Sequence, residues 1–209
     1  FKEANLCYQK FDCHVFVSNG VKDAFCKLIS LSSPCVLYNT IDSANIINMS
    51  GQPVQPDAFP EDQYKLVAVG KLEKVKGFER LLRVHKRLLT QDHLPIHLYL
   101  LGEGVEKKTL ETWVMEHGLE SSVTFLGYQT NPYQYIAVCD LFVCSSYSEG
   151  FSTAATEALI VGTPVITTEV SGMKEMLGEN EYGIITGNDE EKLYRGIKNM
   201  LTTPGSLSH

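Results

Sequence analysis

From Lys65 onward, short apolar runs rich in β-branched residues alternate with glycine-bearing loops and amphipathic stretches. The runs are Lys65–Gly70, Ile96–Gly102, Val123–Gly127, Leu141–Ser146, Pro164–Thr168 and Tyr182–Thr186. Between the first two, Phe78, Leu81, Leu82, His85, Leu88 and Leu89 recur with the 3.6-residue period of a helix that buries one face. Thr153–Val161 and Asp189–Leu201 read as helices too. Strands apolar on both faces and separated by helices predict a parallel sheet covered on both sides. The expected fold is therefore α/β, a doubly wound parallel sheet of Rossmann-like type.

The first sixty residues break this rhythm. Cys13–Ser18 predicts a strand, Val21–Leu31 a helix and Cys35–Tyr38 a second strand. Ser50–Asp62 carries Gly51, Pro53, Pro56 and Pro60, a linker by composition. Two strands and a helix are too little for a domain of their own. The expected division is 1–49 as the remnant of a preceding domain and a crossover, 50–64 as linker, and 65–209 as the main domain.

Composition narrows the class. The chain has 209 residues, 44% hydrophobic and 21% charged, which is ordinary globular usage and excludes collagen-like or low-complexity chains. The longest apolar run, Tyr135–Cys139, is far short of the roughly 20 residues a membrane helix needs. A net charge of −7 argues against nucleic acid as the partner. Locally the sign reverses: Lys71, Lys74, Lys76, Arg80, Arg83, Lys86 and Arg87 face only Glu73 and Glu79. Such an island suits a small anion, with its arginines expected on a solvated helix face. Cys7, Cys13, Cys26, Cys35, Cys139 and Cys144 include no C-x-x-C pair and no zinc spacing, so no metal site is expected. Buried, reduced thiols in a cytoplasmic protein are the expectation.

In an open parallel sheet, ligands bind outside the carboxyl ends of the strands. After the first strand, Gly70 to Gly77 places Lys71 and Lys76 in a loop entering a helix, where amides and dipole favour an anion. The order Lys76-Gly77 is not that of a P-loop. After the second strand, Gly102-Glu103-Gly104 is half of a dinucleotide fingerprint, with Lys107 where the third glycine would stand. After the fourth, Glu149-Gly150-Phe151-Ser152-Thr153 leads into a helix capped by Ser152 or Thr153, with Glu157 one turn in on the same face. Taken singly, these loops read equally as solvated lysines, a tight turn and a capped helix. Together they suit a ligand with a diphosphate between two hydroxyl-rich groups, each held by a carboxylate.

The loops also resemble the retaining group 1 glycosyltransferases of GT-B fold, in their C-terminal nucleotide-sugar-binding domain. The resemblance rests on Val67–Leu72 with Lys76-Gly77-Phe78, on Gly102-Glu103-Gly104, on Phe125–Tyr128, and on Glu149-Gly150-Phe151 followed by Glu157-Ala158 and Gly162-Thr163-Pro164-Val165-Ile166. It implies that Glu149 holds hydroxyls of the transferred sugar, Glu157 the ribose, and the Ser152–Thr153 amides the diphosphate. Gly70, Gly102, Glu103, Gly104, Gly150 and Phe151 would complete the donor site, and Tyr128 and Gln129 would lie against the base. Lys71 and Lys76 would stabilise the departing diphosphate, Lys71 standing where the family usually has arginine and so without its bidentate fork. The donor would be a nucleotide-diphosphate sugar, UDP favoured, with no metal and no other cofactor. The front of the chain would end an N-terminal domain that takes a glycan or lipid-linked acceptor, with the full enzyme cytoplasmic or at the inner face of a membrane. No role near the sugar falls to His14, His85, His93, His97 or His117, each expected satisfied or solvated. A GT-B-like epimerase or phosphorylase, and a non-catalytic nucleotide-binding module, stay open as alternatives.

Overall fold

The elements run α1 (Lys2–Tyr8), β1 (His14–Phe16), α2 (Asn19–Cys26), β2 (Pro34–Val36), α3 (Ser43–Ser50), β3 (Tyr64–Val69), α4 (Phe78–Thr90) and β4 (Ile96–Leu101). They continue as α5 (Lys107–Glu116), β5 (Val123–Gly127), α6 (Tyr133–Ala137), β6 (Leu141–Cys144), α7 (Thr153–Val161), β7 (Val165–Thr168), α8 (Met173–Leu177), β8 (Ile184–Thr186) and α9 (Glu190–Thr202). This is a computed structural model that describes residues 2–54, 59–178 and 180–207. The middle of the proline-rich stretch, 55–58, lies outside the described residues.

Each of the six apolar runs becomes a strand of one sheet, in the order β5-β4-β3-β6-β7-β8, with every pairing parallel. The order reverses at β3, whose neighbours β4 and β6 lie on opposite sides, and this switch point opens the crevice where such sheets take ligands. Helices cover both faces. One core layer packs Phe78, Leu81, Leu82 and Leu88 of α4 and Leu193 and Ile197 of α9 against Leu66, Leu98, Leu100 and Val143. The other packs Ile136, Ala155, Ala158, Met173 and Leu177 against Val67, Tyr99, Phe142 and Val165.

The front segment is thinner. β1 and β2 pair with each other alone, with Val15 opposite Cys35. The helix predicted over Val21–Leu31 begins earlier and stops earlier, because the Ser18 hydroxyl accepts the Val21 amide at its start and the chain turns after Cys26 to bury Ile29. Cys7, Cys13, Cys26 and Cys35 of this segment are exposed, which corrects the expectation of buried thiols; Cys139 and Cys144, under the main sheet, are buried. Helix α3 packs on α6 and α7 of the main sheet, fastened by Asn131, whose side-chain amide donates to the Met49 carbonyl at 2.9 Å. Among the described residues no helix is long and apolar enough to cross a membrane.

Candidate functional site

The loops leaving β3 and β6 are pressed together. After β3 the chain makes a single 3-10 turn, Lys74–Lys76, and enters α4 through Gly77 at φ 66°. A Cβ at Gly77 would sit 2.1 Å from the Ser145 carbonyl oxygen, so only glycine permits both the left-handed backbone and the approach. The Ser145 hydroxyl donates to the Lys76 carbonyl at 3.0 Å, and the Tyr147 amide to the Val75 carbonyl at 2.8 Å. This lacing sets Lys76 Nζ 2.6 Å from Glu149 Oε1, an oxygen that also accepts the Ser146 hydroxyl at 2.6 Å. The side chains are 27% and 10% exposed, so the pair borders solvent without being immersed in it.

Ser152 caps α7 by accepting the Ala155 amide at 3.3 Å, deciding the choice left open between Ser152 and Thr153. Lys76, Glu149 and Ser152 line one hollow over the ends of β3 and β6. A second, larger cleft of about 480 Å³ adjoins it through Val69 and is lined by Gly70, Lys71, Gly102, Glu103, Tyr128 and Gln129, among others. Its floor exists because Gly102, at φ 136°, lies under the Gly70 carbonyl, where a Cβ would approach to 1.9 Å. Gly104 is similarly pressed on the Leu72 carbonyl. Gln129 donates its side-chain amide to the Leu126 carbonyl at 2.6 Å, while Tyr128 is 73% exposed at the rim. Lys71 is exposed at the rim and paired with Glu73 at 2.5 Å.

Tyr133 connects the larger cleft to α7. It lines that cleft, and its hydroxyl donates to Glu157. Burial raises the Glu157 pKa above the usual carboxylate value, and the Tyr133 hydrogen bond offsets this only in part. Gly150 and Phe151 face the front segment instead. The Gly150 carbonyl accepts the Ser18 hydroxyl at 2.8 Å, and Phe151 packs 5.8 Å from the Tyr38 ring. Thr153 is exposed at the start of α7.

Two expectations need correction. Arg80 does not lie on a solvated face: it is 1% exposed, its guanidinium turned under the β6 loop. His85 is not fully satisfied, because only Nε2 finds a partner, Ser122 Oγ at 3.0 Å, while Nδ1 is buried without one. Burial, with His97 nearby, drops its pKa to about 3, so the ring is neutral. Besides Arg80, Ser146, Tyr133 and Asn188 are parts of the site not named from sequence, since a single hydroxyl or amide in a loop or at the start of a short helix has no periodicity to betray it. Among the described residues no three His, Cys, Asp or Glu side chains gather as a metal site.

The sequence profile of the glycosyl transferases group 1 family matches residues 54–209. The chain belongs to that family. It is 36% identical over 201 residues to the N-acetylgalactosamine-N,N'-diacetylbacillosaminyl-diphospho-undecaprenol 4-alpha-N-acetylgalactosaminyltransferase of Campylobacter jejuni, a match that covers 94% of this chain and 53% of that protein. It is 29% identical to the lipopolysaccharide core biosynthesis glycosyltransferase LpsE of Rhizobium meliloti, over 93% of this chain and 55% of the relative. The chain thus spans about half the length of these relatives. In fold it superposes on Anabaena HepE, solved in complex with UDP and glucose, with a TM-score of 0.81 at 21% identity, over 99% of this chain and 58% of that one.

Proposed function

We propose that this chain is the donor-binding part of a retaining glycosyltransferase that takes a nucleotide-diphosphate sugar, UDP-linked in preference to other bases. One observation carries the reading: a lysine and a carboxylate, Lys76 and Glu149, meet 2.6 Å apart at the topological switch point, beside the capped start of α7. The UDP and glucose in the related HepE structure support the donor class. The nucleoside then occupies the cleft between Gly102 and Tyr133, its ribose hydroxyls donating to Glu157. The diphosphate lies at the α7 N-terminus, where the helix dipole and first-turn amides favour it. Glu149 accepts from hydroxyls of the sugar.

As the bond between sugar and diphosphate breaks, negative charge grows on the departing oxygen. Lys76 meets it by giving up part of its bond to Glu149, and Lys71 approaches from the rim. Both act as preorganised positive charge near the place where charge develops, the arrangement that contributes most to transition-state stabilisation. The acceptor, a glycan or lipid-linked hydroxyl, and the groups that handle its proton belong to protein beyond this chain, in keeping with relatives about twice as long. Residues 1–49 are assigned to that acceptor side, 50–64 to a linker and 65–209 to the donor domain.

The test is a thermal-shift titration with UDP, GDP and ADP on wild type and Glu157→Ala. A ligand at 100 times its dissociation constant adds about 2.7 kcal/mol, a rise of roughly 5–10 °C for a chain of this size. A rise with one nucleotide that disappears in Glu157→Ala is expected. A rise that survives the substitution overturns the ribose assignment, and no rise with any nucleotide overturns the donor reading.

A further inference from the structure

Arg80 lies in the first turn of α4, and its guanidinium is almost completely removed from solvent. Its fork is spent on main chain: Nε donates to the Ser145 carbonyl at 2.7 Å and Nη2 to the Ser146 carbonyl at 2.5 Å. Nη2 also reaches Thr168 Oγ1 at 3.2 Å, and that hydroxyl donates to the same Ser146 carbonyl at 2.6 Å. Nη1 donates to Asn188 Oδ1 at 2.8 Å, and the Asn188 amide reaches on to the Tyr147 carbonyl at 2.9 Å. The Tyr147 ring closes the cage, 4.1 Å from the guanidinium carbon. Three consecutive carbonyls, 145 to 147, are thereby fastened directly or through Asn188.

No carboxylate is hydrogen-bonded to Arg80 among the described residues, whereas on the same helix Arg83 pairs with Glu79 and Glu190 and Arg87 with Glu191. A buried cation hydrogen-bonded only to neutral groups is a poor way to stabilise a fold, because the desolvation it suffers outweighs the pull of the more distant Asp189 and Glu190. What the cage does fix is geometry. The residue whose carbonyl it grips, Ser146, donates its own hydroxyl to Glu149 Oε1 at 2.6 Å. Across the same loop, Ser145 holds the carbonyl of Lys76.

We propose that Arg80 is a positioning residue for the sugar end of the donor site. It locks the β6 loop so that Glu149 stands where it can accept from the sugar, and it thereby favours a sugar nucleotide over the bare nucleotide. The assignment rests on the donor reading above. It makes a distinction that a purely structural role does not: the base contacts come from the turns after β4 and β5 and the ribose contact from Glu157 within α7, none of which the cage grips, so loosening Arg80 costs sugar recognition and spares the nucleotide.

The experiment is isothermal titration of the chain with UDP and with UDP-glucose, UDP-galactose and UDP-N-acetylgalactosamine, using wild type, Arg80→Lys, Glu149→Gln and the double variant. Lysine keeps the charge and loses the fork. With a charged hydrogen bond to the sugar misplaced, Arg80→Lys is expected to bind the preferred UDP-sugar about tenfold more weakly, with UDP within about twofold of wild type. The double variant is expected to be no weaker than Glu149→Gln, because both act through one carboxylate. Equal losses for UDP and UDP-sugar, or additive losses in the double variant, overturn the proposal while leaving the donor reading intact. A Glu149→Gln variant that binds UDP-sugar as wild type does, or a wild type that binds none, overturns the donor reading and this assignment with it. Should Arg80→Lys not fold, Asn188→Ala removes only the outer end of the cage; a selective loss for UDP-sugar supports the proposal and an unselective one refutes it.

Discussion

Replacing Lys76 by methionine isolates the contact at the centre of the site, because methionine keeps most of the aliphatic stem and removes the charge. At 2.6 Å and an effective dielectric of about 20, the bare attraction between Lys76 and Glu149 is roughly 6 kcal/mol. Desolvation of both groups offsets most of it. Exposed pairs contribute about 0.2–1 kcal/mol, and breaking a buried pair costs about 3–5 kcal/mol. With the carboxylate 10% and the ammonium 27% exposed, the loss falls between these limits, at about 2 kcal/mol. For a chain of this length that lowers the melting temperature by roughly 4–8 °C. The cost arises from leaving Glu149 uncompensated, so Glu149→Gln introduced together with Lys76→Met should recover about 1 kcal/mol or more of it. The assay is urea denaturation of wild type, both single variants and the double variant. A Lys76→Met change below about 0.5 kcal/mol, or strict additivity in the cycle, refutes the reasoning.

Three further outcomes follow from the titrating groups. On the donor reading the Glu157 carboxylate accepts the ribose hydroxyls, and burial raises its pKa, so UDP affinity should fall as pH is lowered toward the carboxylate range; a calorimetric series in which Glu157→Gln shows the same slope would contradict this. For Glu175, burial opposes ionisation, but hydrogen bonds from Tyr38, the Asn19 and Gly20 amides and the Asn19 side chain outweigh it and bring the pKa down to about 2. Its contribution is therefore complete above the unfolded value of about 4.3 and is lost as pH falls toward about 2, so the acid-induced drop in melting temperature should be smaller in Glu175→Gln. His85, with its pKa lowered to about 3, accepts a proton only on unfolding over the range below about 6.5. Stability should decline by up to about 1.4 kcal/mol per pH unit there, and His85→Leu should flatten that slope in denaturation curves between pH 6.5 and about 4.

The main sheet was plain from the sequence because its strands are buried on both faces, and the runs from Lys65 to Thr186 appear as strands to within about two residues at each end. The two glutamates and the glycine turns were legible for a related reason: tight loops at strand ends admit few residue types, as Gly77 and Gly102 demonstrate. The front of the chain was read less well. Helix α3 carries Ser, Asn and Met with only Ile46 buried, so no periodic stripe announced it. Arg80 was misread because charge in a helix ordinarily faces water, and only the fold reveals a set of carbonyls beneath it. Tyr133 joins Glu157 through a pairing 24 positions apart, which no local pattern encodes.

The two hollows over the sheet share the single residue Val69: the larger is walled by the turns after β4 and β5 together with Gly70 and Lys71 at the start of the β3 loop, the smaller by the loop after β6 and by Lys76 at the end of that β3 loop. Such partitioning makes the site modular. Substitutions around Tyr128–Tyr133 reshape one chamber without touching the Lys76–Glu149 contact, and changes near Ser146–Glu149 leave the other chamber's walls in place. On the donor reading, a lineage built on this scaffold is thus free to exchange the nucleoside it accepts and the sugar it carries as separate traits, one loop at a time, with the sheet unchanged beneath both.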